Sequence, residues 1–406
     1  MKPAQSVLYV RTDIYAQPLV AGGSVSHTIG VIDGFKKCGY RILIASSCME
    51  NYFKTADIAA FVHLRNPRIF RLLRTMFNCI ISNIFFSVQL IKLLKKEKID
   101  FIYQRYSMLN CTGVLMSTVK KIPFILEYNG SETWVQKNWT THKKIRMLWL
   151  IDLFERINIQ NATFIIVVSQ ALKDELCVRG IKAQKILVNP NGVDPIIFDS
   201  KKLEKERVAL RTENAISDSD FVVGFVGTFN KWHGIELLSE IIPDSLKKNK
   251  SLFFLMIGDG PLFALFKKKL IDQNVDSRRV MLTGLVSHEQ VRTYLAACDA
   301  FICPTQPNAD GSKFFGSPTK LFEYMSLEKP VIASDIGQLA EILKPECGIL
   351  VPSADAGRFV DAITHLATKD VFEKKRMGKC ARDEIINNYS WQQHVARISA
   401  FVKGEQ

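Results

Sequence analysis

The sequence predicts an α/β protein built from two doubly wound parallel-sheet domains, and three observations lead there. Twelve short apolar runs, rich in β-branched residues, recur along the 406 residues, and each is followed by a longer amphipathic or polar segment, the rhythm of strand and covering helix. These runs fall six to each half of the chain. The length exceeds the roughly 100–200 residues of one usual domain, and a composition of 47% apolar and 23% charged residues supplies core for two while excluding a disordered or fibrous chain.

In the first half the expected strands are Val7–Val10, Arg41–Ala45, Phe101–Tyr103, Phe124–Leu126, Phe164–Val168 and Ile186–Val188. The second half repeats the pattern with Phe221–Val226, Leu252–Ile257, Val280–Leu282, Ala300–Cys303, Val331–Ala333 and Ile349–Val351. The polar stretch 195–220 has little apolar periodicity at its end and reads as the hinge, which divides the chain into residues 1–198 and 199–389. In open α/β sheets ligands bind beyond the carboxyl ends of the strands, so two such domains facing one another would form a cleft between their strand-end loops.

The formal net charge is +14, and its distribution is one-sided. Residues 1–198 hold 26 Lys and Arg against 13 Asp and Glu, whereas residues 199–406 hold 28 against 27. An excess confined to one half suits an anionic partner, whether a phosphorylated substrate, an acidic membrane surface or nucleic acid; the plain alternative is solubility. Arg65, Arg68, Arg71 and Arg74 precede an apolar stretch, Met76–Ile91, and Lys92, Lys95, Lys96 and Lys98 follow it. That stretch is too short, and too interrupted by Asn78, Ser82, Asn83, Ser87 and Gln89, to span a bilayer. Lying at the membrane interface with Phe77, Phe85 and Phe86 in the lipid boundary is one reading; an ordinary helix packed on a sheet is the other.

Nine cysteines are scattered without a C-x-x-C pair, which suggests neither a zinc site nor a disulfide scaffold. The first residues carry only a four-residue apolar run, Val7–Val10, before Arg11, too short for a secretory signal, so a reduced, cytoplasmic setting is expected.

The chemistry should lie in the strand-end loops. After the first strand come Gly22, Gly23 and Ser24, where glycines allow close approach of backbone N–H groups to a phosphate and Ser24 can cap the following helix. After Phe124–Leu126, the segment Glu127–Trp134 gathers carboxylates, an amide and aromatics, a mixture suited to sugar hydroxyls and C–H faces; Asn129 and Glu132 are its candidate polar groups, and a capped loop with Ser131 or Glu132 at a helix start is the structural alternative. Asn191–Pro195 says turn. In the second half, Gly224–Gly234 runs from strand through Gly227 and Thr228 into a helix, with Lys231 and His233 able to neutralise phosphate charge. Gly258–Pro261 closes the next strand with a tight turn. Downstream, Gly316, Ser317 and Pro318 enter a helix whose first N–H groups, at Thr319, Lys320 and Leu321, would point outward to a diphosphate. Glu323, a turn further on, could accept two hydrogen bonds from a ribose diol.

The ordered set VNPNGVD, GFVGTFNKWHGIELL, MIGDGP, LAACDAFICPT and GSPTKLFEYMSLEKPVIASDIGQLAEIL resembles the retaining glycosyltransferases of family 4, over essentially the whole chain. The resemblance implies the GT-B architecture, two Rossmann-like domains. It implies a nucleotide-diphosphate-sugar donor on the C-terminal domain, an acceptor on the N-terminal one, and a final helix, about 390–406, returning to the first domain. It assigns the donor ribose to Glu323. Three positions depart from the family pattern: Phe315 stands where an acidic residue usually contacts the transferred sugar, Thr228 and His233 stand where a basic pair is usual, and Asn129 stands in place of a frequent His. Lys231 and Lys320 are then the expected substitutes for charge neutralisation.

The expected activity is metal-independent and retaining transfer of a sugar to an acceptor hydroxyl, on a lipid-linked glycan of bacterial surface polysaccharide synthesis, by a cytoplasmic protein held peripherally at an anionic membrane. No cofactor, metal or nucleic acid is expected, and no nucleic-acid module is recognisable. Asp218-Ser219-Asp220 mimics a metal-binding D-x-D but reads as solvated surface. The rivals are another GT-B reaction, epimerisation or phosphorolysis, and a non-catalytic membrane- or nucleic-acid-binding protein.

Overall fold

The computed structural model describes residues 5–12, 22–47, 60–64, 75–95, 97–139 and 147–404. They form two parallel sheets. The first contains β1 (Ser6–Arg11), β2 (Arg41–Ser46), β3 (Ala60–His63), β4 (Phe101–Arg105), β5 (Phe124–Tyr128), β6 (Phe164–Val167) and β7 (Ile186–Val188), in the order β3-β2-β1-β4-β5-β6-β7. The second contains β8 (Phe221–Val226), β9 (Leu252–Ile257), β10 (Val280–Leu282), β11 (Ala300–Cys303), β12 (Val331–Ser334) and β13 (Gly348–Val351), in the order β10-β9-β8-β11-β12-β13. Each sheet reverses its winding once, at β1/β4 and at β8/β11, the places where α/β sheets collect ligands. All twelve expected runs are strands. The one missed is β3, a four-residue edge strand with too brief an alternation to stand out.

The chain divides into two compact units. The described residues of Met1–Leu19, Val31–Pro190 and Gln392–Gln406 make one, and those of Val20–Gly30 and Asn191–Trp391 the other. In the second unit the strand residues alternate between two cores, Val222, Phe253 and Leu255 in one and Val223, Phe254 and Met256 in the other. Both faces of the sheet are therefore covered, which is why these strands read as unbroken apolar runs. In the first unit, β1 places Val7, Leu8, Tyr9 and Val10 entirely out of solvent. The last helix, Trp391–Lys403, belongs there from Gln392 onward: Ser399 pairs with the Tyr40 hydroxyl at 2.8 Å, and Arg397 Nε donates to Asn189 Oδ1 at 2.7 Å.

Three expectations are corrected. The stretch read as a hinge carries a helix, Glu204–Glu213, and anchors Phe198, Leu203, Leu210 and Ile216 in the core that holds Val222. Arg211 reinforces it, donating to Asp299 Oδ2 at 2.5 Å and to the Ala297 carbonyl at 3.0 Å. The helix buries only Leu210 and Arg211 of its ten residues, so its sequence shows almost no apolar stripe. Asp220 is not solvated surface: it is buried, ion-paired with Arg279, and accepts from the Ser217 amide at 2.8 Å. Finally, Cys347 and Cys380 form a disulfide across 33 residues of sequence, a pairing that spacing alone does not announce.

Candidate functional site

The carboxyl end of β8 is the centre of the site in the second unit. There the chain leaves the sheet at Gly227, whose N–H donates to the Ile257 carbonyl at 3.0 Å. Gly258, at the end of β9, has φ of +123°, and a Cβ on it would come within 2.1 Å of the Gly227 carbonyl oxygen. Only glycine lets the two loops lie this close. Gly258→Ala is accordingly expected to destabilise the protein by about 3 kcal/mol or more, since strain and overlap add. Thermal unfolding measures it, and an unchanged melting temperature would show that the loop yields instead.

From Gly227 the backbone passes exposed Thr228 and buried Phe229 into a 3₁₀ turn, Lys231–His233, with Lys231 exposed. His233 points back to the helix Thr319–Ser326, where its Nδ1 lies 3.0 Å from Lys320 Nζ. The Lys320 ammonium is buried, and it sits 4.2 Å from the centre of the Phe225 ring. A Cβ at position 227 would meet it at 2.7 Å, so Gly227 makes room for the lysine. Desolvation lowers the Lys320 pKa to about 8, partly offset by the nearby Cys303 and Glu323. Desolvation, then the Lys320 charge, holds His233 well below its ordinary value. His233 is thus a neutral imidazole, and with Nδ1 accepting from the lysine its proton belongs on Nε2.

Glu323 follows Lys320 by three residues and is buried on the same helix. Burial raises its pKa to about 7 against the opposing pull of Lys320. The helix is fixed by Tyr324, whose hydroxyl accepts from the Val226 amide at 2.7 Å and whose ring stacks on Phe301 at 4.2 Å. Pro318 is the residue flanking the helix rather than its first member, in extended conformation. The Leu321 N–H donates to the Pro318 carbonyl at 3.1 Å and its side chain is fully buried, so Leu321 packs and does not present a donor. Thr319 and Lys320 keep the outward amides of the first turn. Asn191 steadies the entry loop by donating from its backbone to Ser317 Oγ at 3.1 Å and from Nδ2 to the Ser317 carbonyl at 2.5 Å.

Gly22 and Gly23 also belong to this unit, at the start of the helix Gly23–Lys37, and a Cβ on Gly23 would lie 3.0 Å from Thr319 Oγ1. Ser24 is the second helical residue and not its cap; the Gly22 carbonyl accepts from the Val25 and Ser26 amides. Gly23, Gly227, Ser317, Thr319, Lys320 and Glu323 therefore come together from three distant stretches of sequence, an assembly of backbone N–H groups, one cation and one carboxylate whose chemistry can meet an anionic group.

Two family models match the chain, "Glycosyltransferase Family 4" over residues 21–196 and "Glycosyl transferases group 1" over residues 220–369. The chain belongs to the GT-B glycosyltransferases of these two groups. This transferase is 25% identical over 380 residues to an uncharacterized glycosyltransferase of Methanocaldococcus jannaschii, covering 93% of each chain. It is also 25% identical, over 77% of each chain, to a UDP-Gal:alpha-D-GlcNAc-diphosphoundecaprenol alpha-1,3-galactosyltransferase of Escherichia coli. Anabaena HepE in complex with UDP and glucose shares its fold, with a TM-score of 0.72 at 16% identity, over 98% of this chain and 99% of that one.

In the transferase's first unit, Asn129 and Glu132 follow β5, but buried acids govern both. Glu127 is buried and accepts from Arg105 Nη1 at 2.6 Å, from the Tyr103 hydroxyl at 2.8 Å and from Asn129 Nδ2 at 2.6 Å. The Asn129 amide is thereby committed to Glu127. Ser131 caps the helix Glu132–Asn138 by accepting from the Trp134 amide, and the Glu132 N–H donates to Glu155 Oε2 at 3.0 Å. Glu155 is in turn held by Arg179 at 2.6 Å and by the Tyr128 hydroxyl at 3.1 Å. The sequence reading took Glu127 only as part of a strand-end segment and Asn191 only as a turn residue, and it missed Glu155 and the anchoring role of Tyr324, which come from partners remote in sequence. Among the described residues no group of three His, Cys, Asp or Glu gathers as metal ligands.

Proposed function

We propose that this glycosyltransferase moves a sugar, with retention, from a nucleotide-diphosphate-sugar to a hydroxyl of a lipid-linked glycan, as a step in bacterial surface polysaccharide synthesis. The observation that carries the donor assignment is the buried Lys320 and Glu323 pair at the start of the helix Thr319–Ser326. On this reading the diphosphate lies against the Thr319 and Lys320 amides, with Gly22 and Gly23 close to it and Lys320 and Lys231 opposing its growing charge as the C1–O bond breaks. Glu323 takes the ribose diol. The acceptor hydroxyl attacks from the face the diphosphate leaves, and the departing diphosphate accepts its proton. These cations and amides supply the stabilisation that a metal gives elsewhere, so the reaction is proposed to run without one.

The printed name of the Escherichia coli relative, which specifies a diphosphoundecaprenol-linked acceptor, supports a lipid-linked acceptor here. The excess of basic residues in the first half supports an anionic membrane surface, and the protein is proposed to work peripherally on the cytoplasmic face. Among the described residues no helix is long and apolar enough to cross a membrane. The basic residues 65–74 and Lys96 lie outside the described residues, while Phe86, expected at the lipid boundary, is buried. The test is release of nucleoside diphosphate from a panel of nucleotide sugars, with and without a polyprenyl-diphosphate glycan, in the presence of a chelator. Acceptor-dependent release that survives chelation, with an α-linked product from an α-linked donor, is the expected result. Release that requires no acceptor, or an inverted linkage, would refute the reading.

A further inference from the structure

The helix Thr75–Leu94 buries polar residues beside Phe86, Leu90 and Leu94 while leaving apolar ones exposed. Ser82, Asn83 and Ser87, three of the five residues that interrupt its apolar run, are buried. The reason is local: Asn83 Nδ2 donates to the Leu109 carbonyl at 2.7 Å, and its Oδ1 accepts from the Cys111 amide at 2.8 Å, at the entry to the helix Thr112–Lys120. With its polar side committed inward, the helix turns Ile84 and Val88, one turn apart, to solvent at 58% and 45% exposure.

Two further helices of the same unit also expose apolar residues. Helix Thr112–Lys120 packs against Thr75–Leu94, and helix Leu148–Asn161 packs against Thr112–Lys120. The first exposes Leu115 and Val119, the second Trp149 and Leu153, again four residues apart in each case. Trp149 is 62% exposed. Isolated exposed apolar residues are ordinary, but three adjoining apolar stripes on one unit are a patch.

Among the described residues of these three helices the unpaired charges are basic. Helices Thr75–Leu94 and Thr112–Lys120 contain no acidic residue. Lys92 and Lys95 continue the stripe begun by Ile84 and Val88, and exposed Lys121 follows Val119. On the third helix the two carboxylates are neutralised, Asp152 by Arg156 at 2.7 Å and Glu155 by Arg179 at 2.6 Å. In sequence, Arg65, Arg68, Arg71 and Arg74 come before the first of these helices, and Lys143, Lys144 and Arg146 before the third.

We infer that this three-helix face docks the transferase on the surface of an anionic phospholipid bilayer, deepening the lipid-linked acceptor reading on which it rests. Apolar side chains enter the headgroup boundary, Trp149 settles at the depth that indole prefers, and the lysines meet lipid phosphates. Charge complementarity selects this occupant: a basic rim whose helix carboxylates, Asp152 and Glu155, are ion-paired suits a continuous anionic plane, whereas a second copy of this face would bring like charge to like.

The test is flotation of the full chain with vesicles of phosphatidylcholine containing about 30% phosphatidylglycerol, against phosphatidylcholine alone, at low and high salt. Binding to the anionic vesicles that weakens with salt is expected. The triple variant Val88→Glu, Val119→Glu, Trp149→Glu should lower the bound fraction about tenfold or more with an unchanged melting temperature. Phe372→Glu, at an 80% exposed apolar residue of the other unit, should bind as the parent does. No flotation, flotation of the triple variant at the parent level, or a parent dimer that the triple variant dissolves would each overturn the inference. Transfer to a water-soluble acceptor analogue, measured in parallel, separates the two proposals: its loss in the parent counts against the transferase reading, and its retention by a triple variant that no longer floats supports the docking face.

Discussion

Replacing Lys320 by methionine is expected to slow sugar transfer by about 10²–10³-fold, corresponding to about 2.7–4 kcal/mol of lost charge stabilisation, while the fold stays as stable as the parent or becomes more so. The two effects have one cause. The Lys320 ammonium is buried between Phe225 and His233, with no carboxylate of the described residues within hydrogen-bonding distance, and desolvation brings its pKa from 10.5 down to about 8. Between pH 8 and 10.5 the unfolded chain therefore binds more protons at this group than the folded one, and stability rises with pH through that window. Below pH 8 the full penalty of a buried charge is present, and methionine, of similar length, removes it. A cation kept at such a cost should earn its place when a second negative group, the departing diphosphate, arrives. Single-turnover transfer rates and thermal melts at pH 7 check both halves. A Lys320→Met enzyme with undiminished turnover would remove the lysine from the mechanism.

Glu323→Gln should weaken nucleoside diphosphate binding by about 10–100-fold, the value of about 1.5–3 kcal/mol for hydrogen bonds to a charged acceptor. The pH dependence is the sharper signature. Burial raises the Glu323 pKa from 4.5 to about 7, so the folded state holds a proton that the unfolded state has released across that range. Stability from this group is complete below pH 4.5 and declines as the pH rises to 7. Binding of a ribose diol runs the other way, because only the ionised carboxylate accepts from both hydroxyls. Affinity in the parent should fall as pH drops through about 7, and the glutamine variant should lack that inflection, keeping only the decline above about pH 8 as Lys320 loses its proton, with a melting temperature at pH 8 no lower than the parent's. Calorimetric titration with nucleoside diphosphate from pH 6 to 8.5 reads this; a parent profile without the inflection would show that Glu323 lies away from the nucleotide.

Part of the site could be read directly. Gly227, Gly258 and the Ser317–Glu323 segment stand at strand ends and at a helix entry, and both are properties of local sequence. The Lys320–His233 contact is not, because it joins residues 87 positions apart through a buried gap that glycine at 227 opens. Asn129 shows the limit from the other side. As a polar residue after a strand it looks available for chemistry, but its amide donates to Glu127, whose burial beside Tyr103 and Arg105 no local pattern reveals. The same holds for Ile84 and Val88: their outward direction follows from the bond between Asn83 and the Cys111 amide, whereas the sequence shows only an apolar run interrupted by polar residues.

The amino-acid order by itself determined the α/β class, twelve of the strands, the separation into a basic and a near-neutral half and the glycosyltransferase resemblance, because periodicity, composition and glycine placement act over a few residues at a time. The tertiary structure decided which polar groups are committed and which remain for a ligand. That depends on burial and on partners brought from far along the chain, and the free energy of a charge or an amide is set by what surrounds it in space.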